Sequence, residues 1–111
     1  MNNLHSETSM FPQVGDICYH YKHDTNDLLS HAYQIISIAK HTETSEELVI
    51  YRALYDTKEV LFISQEKLEY FARPISMFIE NVEVDKLTKP RFEKIRDKNT
   101  LFLIRKALLG S

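Results

Sequence analysis

Tyr33-Gln34-Ile35-Ile36-Ser37-Ile38-Ala39-Lys40 and Leu48-Val49-Ile50-Tyr51-Arg52-Ala53-Leu54-Tyr55 decide the fold. Both runs are rich in β-branched and aromatic residues, which suit a half-buried pleated surface. Thr42-Glu43-Thr44-Ser45 between them has the composition of a turn. The pair predicts an antiparallel β-hairpin. Side chains alternate faces along a strand. Val49, Tyr51, Ala53 and Tyr55 therefore share one face, and Leu48, Ile50, Arg52 and Leu54 share the other. Arg52 interrupts an aliphatic face. It needs either a sheet edge there or a buried anionic partner.

Working outward, Gly15-Asp16 reads as a turn opening a first strand, Ile17-Cys18-Tyr19-His20-Tyr21. Residues 22–31 are polar and loop-like. Beyond the hairpin, Asp56-Thr57-Lys58 is a turn and Val60-Leu61-Phe62-Ile63 a fourth strand, with a short helical turn at 65–69. Pro74 is placed to open a helix carrying Ile75, Phe78, Ile79 and Val82. Val82-Glu83-Val84 alternates like a closing strand, and Lys89-Pro90-Arg91-Phe92 is extended because proline disfavours helix before it. Asn99 or Thr100 is expected to cap a last helix with the stripe Leu101, Ile104, Leu108. The expected fold is mainly β, a small SH3-like, partly open antiparallel barrel with a C-terminal helix. An α+β sheet with one packed helix is the alternative. Residues 1–12 read as a tail, 13–96 as the β domain and 97–111 as an appended helix.

Composition removes several classes of function. The chain has 111 residues, one ordinary domain. Its only glycines are Gly15 and Gly110, too few for a glycine-rich phosphate loop. Cys18 is the single cysteine, so no intrachain disulfide forms and no cysteine-rich zinc site exists. No apolar run reaches the ~20 residues that span a bilayer, so no membrane partner is expected. The start lacks a secretory pattern, and a cytoplasmic location is expected. The net charge of -2 hides a split. Residues 1–70 carry five Lys/Arg against eleven Asp/Glu, while residues 71–111 carry nine against five. The basic stretch includes Lys86, Lys89, Arg91, Lys94, Arg96, Lys98, Arg105 and Lys106. Such a segment can contact nucleic acid, or it can be a solvated face.

Five short motifs occur in order: Tyr19-His20-Tyr21-Lys22, Ala39-Lys40-His41-Thr42-Glu43-Thr44, Glu47 through Tyr55, Arg73-Pro74-Ile75-Ser76-Met77-Phe78 and Pro90-Arg91-Phe92. Together they resemble an uncharacterised bacterial domain-of-unknown-function family. Its members carry Tyr-x-His-Tyr-Lys, Ala-x-His-x-Glu-Thr, Val-Val-Tyr-x-x-Leu-Tyr, Arg-Pro-x-x-Met-Phe and Pro-Arg-Phe. The resemblance covers about residues 15–95 and implies a small, mostly β module of prokaryotic origin with no established activity. Phe71-Ala72 stands where members commonly have Trp-Val, so an aromatic remains without its indole N–H. The loops at 23–32 and 57–69 look longer than in compact members. The helix at 99–109 lies beyond the usual module.

Three functions compete. The first is a non-enzymatic binding module for a nucleic acid, a nucleotide-like ligand or a peptide. Tyrosine faces stack on flat ligands, and Lys22, Arg52, Arg73 and Arg91 can contact phosphate or carboxylate. The same tyrosines can instead be cross-strand packing residues. The candidate ligand-facing set is Tyr19, His20, Tyr21, Lys22, His41, Glu43, Tyr51, Arg52, Tyr55 and Arg73. The second is an adaptor or homodimer through Leu101, Ile104 and Leu108. The third is a metal-dependent enzyme at His20, His41 and Glu43, although their spacing is no metal signature. Cys18 and His20 share a strand face, but a buried, inert thiol is the commoner reading. No catalytic residue and no cofactor is assigned.

Overall fold

The computed structural model describes residues 11–55 and 69–109. Along them run β1 (Ile17–His20), β2 (Ala32–Lys40), β3 (Glu47–Ala53), β4 (Tyr70–Pro74), α1 (Ile75–Phe78), β5 (Asn81–Val84), β6 (Leu87–Pro90), β7 (Phe92–Lys94) and α2 (Lys98–Leu109). Five strands form one antiparallel sheet in the order β4-β3-β2-β1-β7. The sheet is partly open, and β5 and β6 form a separate two-stranded hairpin. The mainly β class with a terminal helix is therefore the observed one. The Asp56–Lys58 turn, the strand expected at Val60–Ile63, the helical turn beginning at 65 and the first ten residues lie outside the described residues. No helix among the described residues is long and apolar enough to cross a membrane.

The β2–β3 hairpin forms where its two apolar runs predict it. Tyr33 pairs with Ala53 at one end and Lys40 with Glu47 at the other. The register shifts between Ile35 and Ser37, so Ile36 is an extra residue in β2. That bulge lets Ile38 pack against the same core as Tyr33 and Ile35, although simple alternation would send it to the other face.

Each sheet face has its own core. The first holds Cys18, Tyr33, Ile35, Val49 and Tyr51, closed by Phe78 and Phe92. The second holds Ile17, Ala32 and Leu54, closed by Ile95 and by Ile104 of α2. The face assignment along β3 holds, with Val49 and Tyr51 on one core and Leu54 on the other. β3 is flanked by β4 and β2, and among the described residues no carboxylate forms an ion pair with Arg52. Its Nη2 donates to Gln34 Oε1 at 3.4 Å, and Gln34 is the residue opposite it in the register.

Three local expectations are corrected. Pro74 precedes α1 as its N-cap with ψ 140, and the helix ends at Phe78. Val82 belongs instead to β5, which pairs with β6 rather than closing the main sheet. Asp85 and Lys86 bridge that hairpin with φ 52 and 68, the left-handed geometry of a two-residue turn. The cap of α2 is Asp97, not Asn99 or Thr100. Its Oδ2 accepts from both the backbone N–H and the hydroxyl of Thr100 at 2.8 Å.

The stripe of α2 is covered by its own sheet, which removes the dimer surface expected at Leu101, Ile104 and Leu108. Ile104 is fully buried, and Leu101 and Leu108 pack beside it. Phe102 points the other way and is 59% exposed. Ile104→Ala is expected to cost about 2–5 kcal/mol in urea unfolding, the range for a buried aliphatic truncation. Phe102→Ser should stay within about 0.5 kcal/mol of the parent. Equal costs would contradict this packing.

Candidate functional site

Phe92 lies at the centre of the first face. It pairs with His20 across β1 and β7, which places both side chains on one side of the sheet. The turn at Pro74 brings Phe78 of α1 onto it, with ring centroids 4.1 Å apart and planes 2° apart. Three rings meet Phe92 edge-on, that of His20 at 5.0 Å, that of Tyr51 at 5.3 Å and that of Tyr33 at 5.7 Å. The Arg73 guanidinium lies 5.6 Å from the same ring centroid, within cation–π range. Arg73 Nε also donates to the Tyr51 hydroxyl at 3.3 Å, which fixes the guanidinium over the rings.

Toward solvent the cluster continues through half-buried groups. His20 contacts the ring of Tyr21 at 4.4 Å and that of His31 at 5.8 Å. His31 reaches Tyr55 at 5.5 Å, and the Tyr55 and Tyr33 hydroxyls share a 2.6 Å hydrogen bond. His31 holds φ 50, a left-handed conformation that costs a side-chain-bearing residue energy. Such strain clusters at ligand sites. Lys22 Nζ sits 5.9 Å from the Tyr21 ring centroid.

Electrostatics make this a neutral histidine among cations. Burial first, then the charges of His31, Lys22, Arg73 and Arg91, lower the His20 pKa to about 4. The geometry agrees: the Lys22 backbone N–H donates to His20 Nδ1 at 3.2 Å, which requires that nitrogen to be unprotonated. Burial, Lys22 and His23 also lower the His31 pKa. Arg91 pairs with Glu80 at 3.3 Å. Among the described residues, no carboxylate lies within ion-pair reach of Lys22 or Arg73.

The structure brings together His20, Tyr21, Lys22, Tyr51, Tyr55 and Arg73 from the candidate set. Tyr51 is buried, however, and its hydroxyl accepts from Arg73 Nε. The other four lie elsewhere. Tyr19 faces the second core, donates its hydroxyl to Leu28 O at 2.6 Å and stacks on His23 at 3.5 Å. Arg52 is on that face too. His41 and Glu43 belong to the β2–β3 turn, where His41 Nδ1 accepts from the backbone N–H groups of Glu43 and Thr44.

The metal trio is therefore corrected. The nine residues of β2 separate His41 from the His20 end of the sheet, on the order of 30 Å of extended chain. No group of three potential metal ligands occurs among the described residues. Burial and the Asp16 charge push the Cys18 thiol up to about 12, so it carries no thiolate for a dyad with His20. His31 is the site residue that sequence reasoning misses. Its only signal is its place immediately before β2.

A family model matches residues 17–94 of the chain. The chain belongs to the family described as protein of unknown function (DUF1653). The DUF1653 segment runs from the start of β1 to the end of β7 and leaves out α2. No curated protein and no solved structure matches the chain. Four of the five motifs that suggest DUF1653 meet at the Phe92 cluster. The fifth, around His41, builds a turn.

The depressed His20 pKa sets a pH dependence. Above about 6.5 the group is neutral whether folded or unfolded. Between 6.5 and about 4 the unfolded chain takes up a proton that the folded site refuses, so stability is lost as pH falls through that window. Urea midpoints measured across this range should fall more steeply for the parent than for His20→Gln. Parallel slopes would show that His20 titrates normally in the folded chain.

Proposed function

We propose that this domain is a non-enzymatic binding module for a nucleotide-like ligand, a flat ring joined to an anionic group. The carrying observation is the cluster of Lys22, Arg73 and Arg91 around a neutral His20, with one carboxylate, Glu80, within ion-pair reach of the three among the described residues. Such a charge excess favours an arriving phosphate or carboxylate. An arginine fork carries five N–H donors in a plane suited to phosphate, and Tyr51 and Phe92 orient this one. The half-buried rings of His20, Tyr21, His31 and Tyr55 offer faces and edges for a flat ring beside the cations. The low His20 pKa argues against a histidine acting as an acid near neutral pH.

The basic 86–106 segment gives weaker support for a nucleic-acid partner. Arg91 and Lys94 are paired with Glu80 and Asp16, and the remaining cations divide between the β5–β6 hairpin, the β7–α2 link and α2. Adenosine monophosphate is a suitable first probe. Titration of the full chain is expected to show saturable binding that Arg73→Ala weakens about tenfold or more, the scale of one charged hydrogen bond. Tyr21→Ala should weaken it less, with both variants retaining the parent's circular dichroism. Unchanged affinity in a folded Arg73→Ala variant would overturn the reading. Unfolding of both variants would assign the residues to structure.

A further inference from the structure

Beside the ring cluster, the same sheet face opens into a cavity of about 300 Å³. Its apolar lining includes Pro12, Cys18, Phe78, Ile79, Pro90 and Phe92. The cavity shares Phe92 with the cationic cluster but contains none of the candidate ligand-facing residues. Its position follows from the register. Cys18 pairs with Lys94 and His20 with Phe92, so β1 and β7 present Asp16, Cys18, His20, Phe92 and Lys94 on one face. The cationic cluster occupies the His20 end, and the cavity occupies the Asp16 end.

We propose that this cavity is a second binding site, one that takes a compact, uncharged aromatic ligand of one or two fused rings against the Phe78–Phe92 stack. Size is the first argument. Apolar cavities of about 150 Å³ take up benzene, and ordinary ligand pockets begin at about 300 Å³. A two-ring ligand fits that interval. The lining is the second. Phe78 and Phe92 lie nearly parallel, and aromatic groups favour offset or edge contacts with further rings. Cys18 adds a soft, uncharged surface, because burial holds its thiol protonated. Pro12 and Pro90 have fixed φ angles, which helps the cavity to be formed in advance. Charge is the third. Asp16 and Lys94 neutralise each other at 3.3 Å, and Glu93 and Arg96 add one charge of each sign. The balanced lining favours a ligand without net charge, in contrast to the cationic site beyond Phe92.

Indole is the probe for the test. The chain contains no tryptophan, so the indole N–H resonance has no protein counterpart. In titrations of the full chain followed by NMR, amide shifts should saturate and centre on Cys18, Phe78, Ile79 and Phe92. Intermolecular nuclear Overhauser contacts should join indole to the Phe78 and Phe92 rings. Ile79→Trp fills the cavity and should weaken binding about tenfold or more, whereas Phe102→Ser should leave it unchanged. Non-saturating shifts, missing contacts to both phenylalanines, or parent-like binding by folded Ile79→Trp would each overturn the proposal. If Ile79→Trp does not fold, the contacts in the parent chain decide alone.

Discussion

The position of the Phe92 ring is the constraint on which the first sheet face depends. Phe78 stacks on it, Tyr33, Tyr51 and His20 meet it at an angle, and the Arg73 guanidinium lies within cation–π range. These groups come from β1, β2, β3, β4 and α1, while Phe92 is the first residue of β7. Burying one ring therefore joins strands distant in sequence. Each aromatic pair contributes on the order of 1 kcal/mol beyond its buried area. The collective contact also fixes where Arg73 and His20 sit. Packing and candidate chemistry are consequently inseparable at this point, and Tyr51 acts as a core residue that positions a cation.

The two faces of the sheet divide the work. The second face is closed by α2, whose fully buried Ile104 packs with Ile17, Ala32, Leu54 and Ile95. Its polar groups serve local structure, as in the bond from the Tyr19 hydroxyl to Leu28. The first face is closed by single rings from α1 and β7, which leaves its margins open among the described residues. One margin holds the cations around His20, and the other holds the cavity beside Cys18. Phe92 separates two environments of different polarity on one surface.

Local pattern made part of this legible. The β2–β3 hairpin follows from two β-branched runs and a polar turn, and the alternation along β3 sorts Tyr51 from Leu54 correctly. The bulge at Ile36 leaves no such mark, since Ile35-Ile36 reads as continuous strand until a partner sets the register. Asp97 outcompetes Asn99 as a cap because its carboxylate can take both Thr100 donors. Motif density marks the candidate site only in part. Tyr21, Lys22 and Arg73 fall in motifs that converge, whereas His41 and Glu43 fall in one that shapes a turn. The pairing of His20 with Phe92 spans most of the chain, and no local spacing encodes it.

The proposed function places an anion among the cations that surround neutral His20. The most direct measurement is an NMR titration of the His20 ring in phosphate and in chloride at equal ionic strength. A bound phosphate offsets the Lys22, Arg73 and Arg91 charges that help to hold the His20 pKa near 4. Phosphate is therefore expected to raise that pKa by about one. The same pKa in both salts would contradict it.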